Sequence, residues 1–170
     1  MPLLAVTVVG HDRPGIVAEV TAAIAELGGN LEDSSMSLLR GHFAMTLVAA
    51  VPADPADLQQ RLAPLTADGL AVSVLSVPAE AATEPGVLAQ LSVHGADRPG
   101  IVSTATQVVA QHGGNIVDLA TRLGSSLYVL VAEVDFPAGT DLMAVNADLT
   151  TAMEPLGVRA GVRAADEDVL

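Results

Sequence analysis

The apolar positions of this chain change period soon after it begins. A short β-rich run over residues 3–9 gives way at 14–27 to apolar residues at Ile16, Val17, Val20, Ile24 and Leu27. That is one face of a 3.6-residue repeat, so a strand is followed by a helix. Asp12 just ahead of Pro14 marks the helix start, because proline is favoured in the first turn where its missing N–H costs nothing. Gly28-Gly29 supplies a left-handed stop. Residues 31–39 and 43–51 then pair as a hairpin around Arg40-Gly41-His42, which Pro52 ends. Leu58, Leu62 and Leu65 mark a second helix, and residues 71–77 the last strand.

The same series then recurs. Gly10-His-Asp12-Arg13-Pro14-Gly15-Ile16-Val17, closed by Gly28-Gly29-Asn30, returns as Gly95-Ala-Asp97-Arg98-Pro99-Gly100-Ile101-Val102, closed by Gly113-Gly114-Asn115. Across 10–33 and 95–118, 13 of 24 positions are identical without a gap, against roughly one or two by chance, so the chain is a tandem repeat. The second copy reads as strand 87–94, helix 100–112, strands 116–124 and 127–135, helix 141–154 and strand 158–163. A period of 85 residues means two small domains rather than a solenoid of short units. We place them at 1–78 and 87–164, with a polar linker at 79–86 and an acidic tail at 165–170. The order βαββαβ with antiparallel strands predicts an α+β chain of two ferredoxin-like sandwiches. Each is a four-stranded sheet with two helices on one face. The other face of the second sheet reads Gln90, Ser92, His94, Glu133, Asp135, Arg159 and Arg163, as a solvated surface should. On the first sheet the matching residues are Ala5, Thr7, Val9, Ala44, Thr46 and Val48, small and mostly apolar, and another sheet is expected to cover them.

Composition narrows the function. Two Phe, one Tyr and no Trp leave the cores to Val, Leu, Ile and Ala. The net charge is −13, from seven Lys plus Arg, all of them arginine. Direct binding to nucleic acid needs a basic stripe, and an anionic membrane surface is disfavoured for the same reason. The absence of cysteine rules out disulfides and thiol chemistry and fits a reducing compartment. With no signal peptide visible before the first repeat and no apolar run of membrane-spanning length, a cytoplasmic protein is expected.

Candidate chemistry sits in the loop that joins the first strand to the first helix. A helix start offers free backbone N–H groups and a partial positive charge, which suit a carboxylate. Gly15 and Gly100 leave that backbone approachable. Asp12 and Asp97 accept from an ammonium or hydroxyl group, and Asn30 and Asn115, at the start of strand two, both donate and accept. Anion donors, a carboxylate and an amide are what a zwitterionic amino acid requires. The blander alternative is that the aspartates only cap helices and the asparagines only tolerate a turn, and the two readings are not exclusive. Arg13 and Arg98 point outward, toward acidic neighbours or an incoming anion. Asp33 and Asp118 recur on strand two as secondary candidates, which surface alternation also explains.

Nothing in the chain reads as catalytic. His11, His42, His94 and His112 occupy non-equivalent repeat positions without metal-ligand spacing. Ser34-Ser35 and Ser125-Ser126 lack a nucleophile elbow, and a lysine-free chain has no phosphate-binding P-loop. Neither cofactor nor metal is expected.

Asp-Arg-Pro-Gly-Ile-Val followed by Gly-Gly-Asn resembles the ACT-domain family, the small-molecule sensing modules of amino-acid metabolism. The resemblance covers nearly the whole chain as two modules in tandem. It is most similar to the stand-alone double-ACT proteins named for the glycine cleavage system transcriptional repressor. The family implies that modules associate side by side or face to face, with the first loop of one facing strand two of another and effectors bound between them. On that analogy Gly10, His11, Asp12, Pro14 and Gly15 form one site with Asn30. Gly95, Ala96, Asp97, Pro99 and Gly100 form the other with Asn115. The copies part at His11 against Ala96 and at Val9 against His94, so one site is expected to have lost or changed its ligand. The resemblance implies a homodimer or higher oligomer that senses a small amino acid of the glycine or serine type without catalysis. It would act on gene expression or metabolism through a protein partner. Two alternatives remain open: a ligand-free interaction scaffold, and a regulatory subunit of a separate amino-acid or one-carbon enzyme. An enzyme, or part of one, is a further class, since formyltetrahydrofolate deformylases carry an N-terminal module with a similar Asp-Arg-Pro-Gly stretch.

Overall fold

The computed structural model describes residues 1–79, 86–124 and 127–165. The chain divides into two compact units, Met1–Ala82 and Thr83–Leu170. Residues 80–85 of the expected linker and 166–170 of the expected acidic tail lie outside the described residues.

The first unit runs β1 (Leu3–His11), α1 (Ile16–Glu26), β2 (Asn30–Leu39), β3 (His42–Ala50), α2 (Pro55–Arg61), α3 (Ala63–Ala67) and β4 (Ala71–Val77). The second runs β5 (Val87–Gly95), α4 (Ile101–Gln111), β6 (Asn115–Leu123), β7 (Tyr128–Phe136), α5 (Leu142–Met153), a 3₁₀ turn (Glu154–Leu156) and β8 (Arg159–Ala164). Each unit builds one sheet, in the orders β2-β3-β1-β4 and β6-β7-β5-β8. Every paired neighbour whose register is assigned is antiparallel. These are two ferredoxin-like α+β sandwiches.

Period-two alternation puts Leu4, Val6 and Val8 of β1 fully in the core, where Ile16, Val20 and Ile24 of α1 meet them. In the second unit Ala89, Leu91 and Val93 meet Ile101, Ala105 and Val109. Each core holds one phenylalanine, Phe43 or Phe136, and among the described residues no polar side chain is buried. Both first helices end where Gly28 and Gly113 turn left-handed, at φ 73° and 71°. There Gly29 N–H donates to the Ile24 carbonyl at 3.0 Å and Gly114 N–H to the Val109 carbonyl at 2.9 Å, a Schellman closure. The β2–β3 turn is the tight kind whose two central residues both need positive φ, here Arg40 at 50° and Gly41 at 84°. Its counterpart, residues 125–126, lies outside the described residues.

Two expectations change. The second helix, expected as one element marked by Leu58, Leu62 and Leu65, is broken into α2 and α3, because Pro64 has no N–H to give and its ring crowds the carbonyl of Gln60 one turn earlier. Leu58, Leu62 and Leu65 stay buried on both sides of the break. The helix expected from Pro14 begins at Ile16, because Gly15 takes φ 96° and becomes the N-cap residue, as Gly100 does in α4. Asp12 and Asp97 therefore do not cap these helices, whereas Asp141 does cap α5, accepting from Met143 N–H at 2.9 Å.

Candidate functional site

The two loops, Gly10–Gly15 and Gly95–Gly100, have one geometry. In each, a left-handed glycine leads into a helix whose first internal bond is made four residues on. Glu19 N–H donates to the Gly15 carbonyl and Thr104 N–H to the Gly100 carbonyl, both at 2.9 Å. The amides of Ile16–Ala18 and Ile101–Ser103 precede those bonds and have no partner within the helix. Only glycine holds φ 96° without a steric cost, so Gly15 and Gly100 are set by backbone shape as well as by ligand access. Gly10 and Gly95 answer to packing. A Cβ at Gly10 would stand 2.7 Å from Leu70 Cδ2, and one at Gly95 would stand 2.7 Å from Val158 Cγ1.

Asp12, Pro14, Gly15, Asp97, Pro99 and Gly100 are all exposed, as are His11 and Ala96. Among the described residues Asp12 is tied only through its backbone N–H, which donates to the Gly41 carbonyl at 3.2 Å. His11 pairs across the strands with His42, ring centroids 6.3 Å apart and edge to face. An open groove of about 500 Å³ lies beside the first loop, lined among others by Asp12, Arg13, Gly15, Val17, Met36 and Phe43. The residue of β2 that this groove meets is Met36, a contact sequence reasoning missed. Cross-strand register carries the signal: Met36 pairs with the buried Met45, so both face the helix side.

Asn30 and Asn115 are not brought to their loops. Asn30 pairs with Ala50, which pairs with Leu3, whereas the loop leaves β1 at His11. Eight residues of strand separate the two levels, about 26 Å at 3.3 Å per residue. Asn115 pairs with Asp135, which pairs with Leu88, seven residues and about 23 Å from Gly95. Within one unit, loop and asparagine lie at opposite ends of the sheet. Both asparagines begin an edge strand, β2 or β6, whose outer side carries no neighbour in its sheet.

The arginines of the two loops differ. Arg13 grips Glu19 with both arms, Nη1 to Oε1 at 2.6 Å and Nη2 to Oε2 at 3.0 Å, and donates from Nη2 to Asp68 Oδ2 at 2.8 Å. Arg98 is exposed and makes no ion pair among the described residues. The hydrogen bond from Arg13 holds the Glu19 carboxyl below its ordinary range. A depressed carboxylate contributes stability in full above its unfolded value and loses it as pH falls through the folded value. The first unit is therefore expected to lose this contribution only below about pH 4.5. In a carboxyl NMR titration Arg13→Ala should return Glu19 to its ordinary midpoint. A midpoint unmoved by Arg13→Ala would show that the ion pair is not its cause.

Among the described residues no group of three or more His, Cys, Asp or Glu is placed to hold a metal ion, and no helix is long and apolar enough to cross a membrane.

Comparison with known proteins matches both units. A family model described as the ACT domain fits residues 3–73 and again 88–163. The glycine cleavage system transcriptional repressor of Escherichia coli K12 is 28% identical over 121 residues, 70% of this chain and 64% of the repressor, so the match spans less than two thirds of that relative. A UPF0237 protein of Methanosarcina mazei is 35% identical over 69 residues, 41% of this chain and 75% of its own length. A solved structure of an unknown protein from Galdieria sulphuraria superposes with a TM-score of 0.82. It is 29% identical and covers 97% of this chain and 99% of its own.

Proposed function

Since the chain belongs to the ACT-domain family, we propose that it is a non-catalytic regulatory protein that senses a small amino acid of the glycine or serine type. The observation that carries this reading is the duplicated loop: an aspartate, a left-handed glycine and free helix amides in the same geometry twice. Such a loop offers donors to a carboxylate and an acceptor to an ammonium group. The asparagine that completes the set comes from a second module, because its own lies at the far end of the sheet. Antiparallel approach of two edge strands would bring Asn30 or Asn115 of one module to the loop of the next, so the protein works as a homodimer or higher oligomer. Effector bound between modules shifts a preformed equilibrium between arrangements, by as much as its affinities for the two differ.

One relative is named a transcriptional repressor of the glycine cleavage system, and this chain is given the same kind of role in gene expression or metabolism. A net charge of −13 directs that role through a protein partner rather than direct contact with nucleic acid. Metabolite sensing asks for dissociation constants of about micromolar to millimolar, on the order of −8 to −4 kcal/mol.

Calorimetric titration of exhaustively dialysed protein with each common amino acid, glycine and serine first, tests the reading. Saturable binding in that range is the expected result. Silence across the panel would leave an interaction scaffold in its place.

A further inference from the structure

The two loops share a backbone and differ in what surrounds it. The register of β4 and β8 on the first strands aligns Ala71 with Arg159, since Val9 pairs with Ala71 and its repeat counterpart His94 with Arg159. Asp68 therefore corresponds to Leu156, and Glu19 to Thr104. Both acidic partners of Arg13 are missing around Arg98. In the first loop Arg13 is paired with two carboxylates, Glu19 and Asp68, and Asp12 precedes it in the chain, which leaves two negative charges in excess. In the second, Arg98 has no ion-pair partner among the described residues, and with Asp97 its neighbour in the chain the two formal charges balance. The helix-side lining changes in the same direction. Met36, Phe43 and Ala18, apolar around the first groove, correspond to Thr121, Tyr128 and Ser103, each with a hydroxyl.

We propose that the two modules have divided their roles: the second loop is the one that takes the carboxylate of a small polar amino acid, through Arg98, while the first loop takes no anion. This rests on the amino-acid-sensing reading above and narrows it to one site per chain. An α-carboxylate arriving at the first loop finds its guanidinium already bound on two edges and an excess of like charge beyond it. At the second it finds an exposed, unspent guanidinium, whose planar fork matches a carboxylate in a bidentate pair. Asp97 and Arg98, adjacent in the chain and both exposed, offer one charge to each end of a zwitterion, and the hydroxyl lining suits a short polar side chain rather than a large apolar one. In the first module the same arginine has a structural task instead, tying the loop to α1 and to the turn before β4.

Phenylglyoxal, which adds to free guanidinium groups, reads this directly when adducts on the intact chain are mapped by mass spectrometry. Arg98 is expected to react about tenfold faster than Arg13, which its carboxylates shield. L-serine at millimolar concentration is expected to protect Arg98 and leave Arg13 unaffected. The variant Glu19→Thr with Asp68→Leu gives Arg13 the surroundings of Arg98 and should raise its rate to match. Equal rates in the unmodified chain, or protection of Arg13 rather than Arg98, would overturn the division of roles while leaving amino-acid sensing in place. A faster Arg98 that neither L-serine nor glycine protects would overturn the sensing reading itself, and the proposal with it.

Discussion

Phe136→Ala is expected to unfold the second unit near physiological temperature while the first stays folded. Phe136 is 1% exposed and the only phenylalanine in its core, whose other buried members are aliphatic or Met153. Removing it costs about 3–5 kcal/mol, the sum of lost transfer energy and the cavity left behind. A unit of this size buries only a modest core and stands toward the low end of the usual 5–15 kcal/mol, so the loss takes most of what it has. In Tm terms a loss of that size is a fall of more than about 12 °C. The cavity cannot close by collapse of its near wall, because Gly114 presents bare backbone to the ring: a Cβ there would lie 2.6 Å from Phe136 Cε1. Gly114→Ala alone should overpack and destabilise by about 1–3 kcal/mol, yet in the Phe136→Ala background the clash with the ring is gone and only Val109 Cγ1, 2.8 Å from the added methyl, has to shift. The two substitutions should therefore couple, the double variant being more stable than the sum of the single effects. Hydrogen exchange resolved by unit checks both claims, because each core is built only of its own unit's residues. Protection lost equally from both units after Phe136→Ala would show that they fold as one.

The fold was legible because local signals and long-range pattern agreed at almost every element. The periodicity of α1, the Gly-Gly stops and Pro52 each point to one answer, and the repeat states it twice. Where one residue changed the local outcome, the reading missed a break or a shift of two residues. Pro64 breaks a helix whose leucine spacing is otherwise continuous, and Gly15 moves a helix start that Asp12 and Pro14 together suggest. The candidate site was legible as loops and less so as an assembly. Residue types and motif identify Asp12, Gly15 and Asn30 but carry no distance, and the register of β1, β2 and β3 is what separates the asparagine from the loop by the length of the sheet. The capture of Arg13 by Asp68 was also out of reach, since it joins residues 55 positions apart across a turn. Its absence around Arg98 follows only once β4 and β8 are aligned. The residues read as the outer face of the first sheet do turn away from its core, with Ala5, Ala44 and Val48 half-buried and Val9 and Leu75 exposed.

Asp97→Ala and Asn115→Ala are each expected to weaken amino-acid binding tenfold or more, about 1.4 kcal/mol or above, through loss of a charge-assisted or amide hydrogen bond to the ligand. Neither should unfold the chain, because both side chains are exposed and neither makes a hydrogen bond among the described residues. Two variants of equal severity do not by themselves distinguish a site within one module from a site between two. Mixing them does. The 23 Å of strand between loop and asparagine means that a site between second modules of two chains takes its aspartate from one and its asparagine from the other. In a dimer of one Asp97→Ala chain with one Asn115→Ala chain, one site carries both lesions and the other carries neither. After subunit exchange, half the dimers are mixed, so about a quarter of the sites should recover full affinity. Calorimetry of the equilibrated mixture would then show a tight fraction that neither variant shows alone. A mixture that binds no better than its components would show that Asp97 and Asn115 do not complete one site between chains, since the sheet already keeps them apart within one.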